Sequence, residues 1–85
     1  MIAAQISPDN YEITKGKNSI IIKESYFPSQ LISNYPQIEA ISYNEPRTNT
    51  TIGYVNVFGG MGKDFLMTPG EEYELIASSN FTLII

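Results

Sequence analysis

The chain has 85 residues, no cysteine and no histidine, and nine carboxylates against five lysine and arginine side chains, for a net charge of -4. Without the two side chains most used in metal binding and in catalysis near neutral pH, we expect a protein that is not an enzyme and needs no cofactor or metal. An acidic chain whose one arginine is Arg47 is poorly suited to nucleic acid, because affinity for phosphates comes mainly from Lys and Arg.

The N-terminal third alternates short apolar segments with turn residues. Residues 2–6 form an apolar segment that ends in a proline-containing turn, and residues 11–14 alternate as a strand does. Residues 15–18 predict a hairpin turn in which Gly16 takes a positive φ. Residues 19–27 follow with three consecutive isoleucines, which favours a strand in the centre of a sheet.

Residues 28–34 are the one candidate helix. Pro28 is tolerated at a first helical position, and Pro36 forces the chain out of the helical region just before it. We therefore expect at most one helical turn here. The alternative is a loop that covers one open end of the core with Leu31, Ile32 and Tyr35.

Residues 37–44 alternate and predict a further strand. The alternation places Ile38 and Ala40 on one face and Ile41 on the opposite face. Residues 45–50 are the most polar stretch of the chain and predict a surface loop.

The C-terminal part is cut into four short runs by three breakers, which is the pattern of an antiparallel meander. The runs are residues 52–58, 64–67, 72–77 and 81–85. In the first run Tyr54, Asn56 and Phe58 share one face, and in the third Tyr73 and Leu75 face the core.

A strand about every ten residues predicts an all-β fold. We expect a single domain over residues 1–85, a small antiparallel β-sandwich of immunoglobulin-like or jelly-roll-like form with about seven or eight short strands. No apolar run is long enough to span a bilayer, and the first residues show no signal peptide. The localisation stays open, with a virion or extracellular setting favoured by the low charge content.

The glycine-rich breaker at residues 59–64 does not have the spacing of a phosphate-binding loop. Val57 stands where the first glycine is needed, and Asp64 stands where Ser or Thr follows the lysine. We interpret the segment as a flexible or bulged hairpin. The alternative is a glycine loop whose exposed backbone contacts a partner. The candidate interaction residues are Tyr43, Arg47, Tyr54, Gly59, Gly60, Met61, Gly62, Lys63 and Asp64.

The carboxylates do not predict a catalytic or metal site. Glu72 and Glu74 share one face of a strand, a pattern more typical of a solvated edge than of a glycosidase cleft. Asp9, Asn10 and Glu12 offer oxygen ligands but do not match an EF-hand loop.

The C-terminal third follows a recognisable order of glycine-rich strand end, apolar strand, Pro-Gly-Glu turn, alternating strand and short terminal strand. It reads Val55-Asn56-Val57-Phe58-Gly59-Gly60, Phe65-Leu66, Pro69-Gly70-Glu71, Tyr73-Glu74-Leu75 and Phe81-Thr82-Leu83-Ile84. This order resembles the last strands of small bacteriophage and virion accessory β domains, although Phe81 stands where many of them carry tryptophan. The resemblance implies a virion or appendage accessory subunit.

These observations favour a non-enzymatic structural or interaction module that acts by protein–protein packing, as a homo-oligomer or with another protein. One alternative is a carbohydrate- or ligand-binding module, since the chain has six tyrosines and tyrosine is frequent at contact surfaces. That alternative requires at least two exposed tyrosines around one groove. The other alternative is an acidic inhibitor of a basic protein, whose binding would depend strongly on salt.

Overall fold

The computed structural model describes residues 10–85, which form seven strands and one short helix. In chain order these are β1 (Asn10–Ile13), β2 (Gly16–Ile21), α1 (Pro28–Asn34), β3 (Ile38–Glu45), β4 (Thr50–Val55), β5 (Met61–Gly62), β6 (Glu72–Ala77) and β7 (Phe81–Ile84). One antiparallel sheet has the order β2-β6-β3-β4-β5, and β1 pairs with β7 in a second. The predicted all-β sandwich is confirmed, while the apolar segment at residues 2–6 lies outside the described residues.

The hydrophobic core lies on one face of the five-stranded sheet. β6 has a neighbour on each side, and its Tyr73, Leu75 and Ala77 are buried, as the alternation predicted for the first two. Ile13 of β1 and Leu83 of β7 join the same core from the second sheet. Each fully buried aliphatic side chain of this kind contributes about 1.5–3 kcal/mol to folding.

Helix α1 occupies the predicted range and closes one end of the core. Its seven residues make about two turns, slightly more than the single turn expected. The Gln30 side chain accepts a hydrogen bond from the Phe27 N–H at 2.8 Å, which supports the N-terminus. Leu31 and Ile32 are buried, as predicted for either a helix or a loop at this place.

The predicted C-terminal meander is wrong in its second half. β3, β4 and β5 are neighbours in sequence and in space, but β6 crosses back to lie between β2 and β3, and β7 pairs with β1. The segment at residues 64–67 is not a strand and makes one isolated bridge, between Met67 and Tyr26. Phe65 and Met67 are nevertheless buried, because the segment runs across the core.

Two predictions about β1 and β2 are also wrong. The strands do not form a hairpin, because they pair in different sheets, although Gly16 has the expected positive φ of 100°. β2 is an edge strand rather than a central one. Its isoleucine run is not buried on both faces: Ile20 and Ile22 are buried, whereas Ile21 is exposed.

A β-bulge in β3 changes the faces predicted for its side chains. The register with β6 shifts between Ile38 and Ala40, so one residue is inserted there. Ile38 and Ile41, predicted on opposite faces, are consequently both fully buried. An inserted residue reverses the alternation because side chains in a strand repeat with a period of two.

Candidate functional site

The hairpin between β4 and β5 ends in a tight turn. Val55 pairs with Met61 at the last rung of the ladder. The Val57 carbonyl then accepts a hydrogen bond from the Gly60 N–H at 2.9 Å. The two central residues have positive φ angles, 50° at Phe58 and 83° at Gly59. This is the pattern of a type I′ turn, which matches the twist of a hairpin.

Phe58 is the most exposed large apolar residue among residues 10–85. It is 98% exposed, and it adopts a positive φ, which is an outlier for a bulky residue. A left-handed conformation at such a position costs about 1–2 kcal/mol. Neither the exposure nor the backbone conformation of Phe58 stabilises the fold.

Three further exposed apolar residues lie within three positions of Phe58 in the sequence. Val55, Val57 and Met61 are 39–50% exposed, and with Phe58 they make up what we call the hairpin tip. Val55 also pairs with Ala40 on β3, and Ala40 pairs with Ile76 on β6, so an apolar row continues from the tip across the outer face of the sheet.

The glycines of the loop allow the backbone to pass close to the neighbouring strand. A side chain at Gly60 would collide with the phenol of Tyr54, and one at Gly62 would collide with the carbonyl oxygen of Gly53. Both glycines also have positive φ. Their role is therefore to hold the tip against β4 in a fixed conformation, rather than to make the loop flexible.

A cavity lies at the opposite end of β4, which is roughly 17 Å long at about 3.4 Å per residue. It has a volume of about 380 Å³, within the range of about 300–1,000 Å³ that is usual for ligand pockets. We call it the end cavity, and its lining includes Tyr43, Glu45, Pro46, Leu66, Glu71, Glu72 and Tyr73.

The end cavity combines aromatic and acidic groups. Tyr73 is buried and Tyr43 is half-buried, with their ring centroids 5.8 Å apart in an edge-to-face arrangement. Leu66, in contrast, is 57% exposed, the second-largest exposure among the large apolar side chains of residues 10–85. Glu71 and Glu72 are exposed as well, so the cavity is lined by carboxylates in addition to its apolar residues.

The structure separates the residues that the sequence proposed for interaction. Gly59, Gly60, Met61, Gly62 and Lys63 lie together on the β4–β5 hairpin, with Tyr54 packed beneath Gly60.

The other three proposed residues lie elsewhere. The Asp64 carboxylate turns away and accepts hydrogen bonds from the N–H and the hydroxyl of Ser29, at 3.0 and 2.6 Å. Tyr43 lines the end cavity, and Arg47 lies in the β3–β4 loop at the far end of β4.

The sequence pattern predicted Met61 of the tip and Tyr43 of the end cavity as interaction residues, but not the other apolar residues of the two surfaces. It placed Val57 and Phe58 in a strand, although β4 ends at Val55, and it placed Leu66 in a strand that does not form. The available signal was an aromatic residue immediately before Gly59-Gly60, at the point where a hairpin must turn.

The tyrosines do not form an exposed face. Tyr73 is buried, and the other five tyrosines are half-buried: Tyr11, Tyr26, Tyr35, Tyr43 and Tyr54. The condition set for a carbohydrate-binding module, two exposed tyrosines around one groove, is therefore not met.

Residues 10–85 contain no group of three His, Cys, Asp or Glu side chains placed to hold a metal ion. Asp9, one of the three oxygen ligands considered near the N-terminus, lies outside the described residues. Across the same range, no helix has the length and apolar character needed to cross a bilayer.

Comparison with family models, with curated proteins and with solved structures found no significant match in any of the three. The resemblance to bacteriophage and virion accessory domains stays a prediction, and so does the choice between an immunoglobulin-like and a jelly-roll-like form.

Proposed function

We propose that this chain is a non-enzymatic interaction module that acts by packing its hairpin tip against another protein, as an accessory subunit of a virion or surface appendage. The observation that carries the proposal is Phe58, a nearly fully exposed aromatic side chain held at a positive φ by the turn. Backbone outliers of this kind cluster at functional sites.

The energetics favour a contact role for the tip. Burying one phenylalanine side chain contributes about 1.5–3 kcal/mol, and aromatic side chains seated in pockets dominate many interfaces. The tight turn fixes the backbone at Phe58 before binding, so little backbone entropy is lost when the ring is buried.

A protein is a better partner for this tip than a membrane surface. One aromatic anchor gives only marginal membrane affinity, because stable anchoring takes two signals. The net charge of -4 also opposes adsorption to anionic lipids. A pocket in a protein can instead enclose the ring on all sides.

Co-expression with the products of neighbouring genes tests the proposal. We expect the wild-type chain to co-purify with one of them or to self-associate, and Phe58→Ser to abolish the contact. Ile21→Ser is the matched control, because Ile21 is 54% exposed on β2, at the opposite edge of the sheet from β5. Equal binding by the wild type and Phe58→Ser would contradict the proposed role of the tip.

The half-buried tyrosines do not support the first alternative function, a carbohydrate-binding module. The second alternative, an acidic inhibitor of a basic protein, stays a prediction. Binding measured at increasing ionic strength tests it: binding through Glu71 and Glu72 would weaken steeply, whereas binding through Phe58 would not.

A further inference from the structure

We infer that the hairpin tip of one copy of this chain docks into the end cavity of a second copy, so that copies assemble head to tail. The inference rests on the proposed packing function and names the partner of the same tip. It assigns two distinct contact surfaces to one chain, the tip around Phe58 and the cavity around Leu66.

The tip and the end cavity each expose a large apolar side chain for which the fold of one chain gives no reason. Phe58 and Leu66 have the two largest exposures among the large apolar side chains of residues 10–85, at 98% and 57%. Docking the tip in the end cavity would remove both from water at once. The ring would then lie beside Tyr43, which already packs edge-to-face with Phe65 at a centroid distance of 4.8 Å.

The volume of the end cavity fits one aromatic side chain. A cavity of about 380 Å³ is wide enough for a single aromatic side chain and too small for a folded element. A type I′ turn that presents one ring at its apex has the shape that such a cavity accepts. Val57 would follow Phe58 to the mouth of the cavity.

The charges near the two surfaces are complementary. Lys63 is the one charged residue from position 50 to position 63, although the chain as a whole is acidic. The end cavity is lined by Glu45, Glu71 and Glu72. Docking therefore brings Lys63 toward a surface rich in carboxylates. The attraction between these charges favours one orientation of the hairpin at the cavity.

The positions of the two surfaces determine the kind of assembly. The tip follows the C-terminal end of β4, and the end cavity lies near its N-terminal end, so a chain cannot fill its own cavity. Each copy then offers one free tip and one free cavity. Such a heterologous contact builds a ring or an open filament rather than a closed two-fold dimer.

The contact area is small, so we expect weak association that needs high local concentration. Sedimentation velocity of the purified full chain, from micromolar to millimolar concentration, is the direct test. The wild type should grow beyond a dimer. Phe58→Ser and Leu66→Lys should each weaken association at least about 30-fold, the effect of losing an interface hot spot.

Mixing the two variants separates head-to-tail docking from other contacts. Phe58→Ser keeps an intact cavity, and Leu66→Lys keeps an intact tip, so together they should form a dimer that grows no further. Ile84→Ser should assemble as the wild type does, because Ile84 is 49% exposed and lies on β7, in the second sheet. Circular dichroism and urea unfolding of each variant check that a loss of assembly is not a loss of fold.

Three results would overturn the inference. The mixture could stay monomeric, Leu66→Lys could assemble as well as the wild type, or the wild type could stay monomeric at millimolar concentration. None of these contradicts the proposed function by itself, because a neighbouring gene product captured through Phe58 would still support it. Equal capture by the wild type and Phe58→Ser would instead contradict the proposed function.

Discussion

The phenol of Tyr54 occupies the space into which any side chain at position 60 would project. Gly60→Ala should therefore lower the free energy of unfolding by about 2–3 kcal/mol, because the new methyl group displaces the end of the Tyr54 side chain and the positive φ is strained for alanine. Urea denaturation measures the loss.

Gly59→Ala is the matched control for Gly60→Ala. Gly59 also has a positive φ, but a methyl group there meets nothing within 4 Å. Its cost should be about 1 kcal/mol, from backbone strain alone. In a Tyr54→Ala background the cost of Gly60→Ala should fall toward this value. An unchanged cost would show that the Tyr54 contact does not hold the loop.

Asp64 lies in the segment that follows β5, and its two hydrogen bonds to Ser29 attach that segment to the first turn of α1. Asp64→Ala should cost about 1–2 kcal/mol of stability, as the loss of a helix-capping carboxylate does. Asp64→Asn, which keeps an acceptor oxygen, should cost less than half as much. In a Ser29→Ala background Asp64→Ala should cost less than in the wild type, and strict additivity in urea denaturation would contradict the pairing.

Tyr35 covers the backbone of β7 at Ile84. Its hydroxyl donates to the Ile84 carbonyl at 3.0 Å and accepts from the Ile84 N–H at 3.2 Å, while its ring stacks on Phe81. Tyr35→Phe keeps the stacking and removes both hydrogen bonds. Amide exchange at Ile84 should accelerate, and stability should fall by about 1 kcal/mol.

Tyr11→Phe is the control for Tyr35→Phe, since the Tyr11 hydroxyl donates to Ile21 instead, at 2.6 Å. It should leave the exchange at Ile84 unchanged. Equal exchange rates at Ile84 in the wild type and Tyr35→Phe would contradict the covering role of Tyr35.

Stability should fall in alkaline solution partly because of Tyr26. Burial raises the pKa of its hydroxyl above the ordinary value of 10.0, and the charge of Glu24 and a hydrogen bond to it raise the pKa further. Because the pKa is higher in the folded state, the resulting stabilisation is fully present below the pKa of the unfolded state. It is lost as the pH rises through the pKa of the folded state. Tyr26→Phe should therefore lose less stability above pH 10.0 than the wild type does, and identical pH profiles in thermal unfolding would contradict this.

The sequence pattern predicted the fold class, but not which strands are neighbours. Alternation showed that Tyr73 and Leu75 face the core, because side-chain direction depends only on position along a strand. It did not show that β6 crosses back between β2 and β3, since neighbours are selected by the packing of the whole core. The faces of β3 were wrong because a bulge next to Ile38 has no distinct signature in the residue types.

The position of the hairpin was predicted from the sequence, but the exposed aromatic residue at its apex was not. The glycine-rich segment correctly indicated an unusual hairpin at residues 59–63. The alternation of residues 52–58 placed Phe58 in a strand, whereas the turn is centred on Phe58 and Gly59. The end cavity brings residues 43–46 together with residues 66–73, and local patterns do not reveal such a contact.

A single tryptophan at the tip gives the most direct measurement of the proposed role of this surface. The chain contains no tryptophan, so Phe58→Trp places one fluorophore at the apex of the turn and keeps an aromatic side chain there. Its emission should be that of a water-exposed indole in dilute solution. As concentration rises or a partner is added, emission should shift to shorter wavelength and resist quenching by iodide. Emission that stays fully water-exposed under every condition in which the chain assembles or binds would contradict a contact role for the tip.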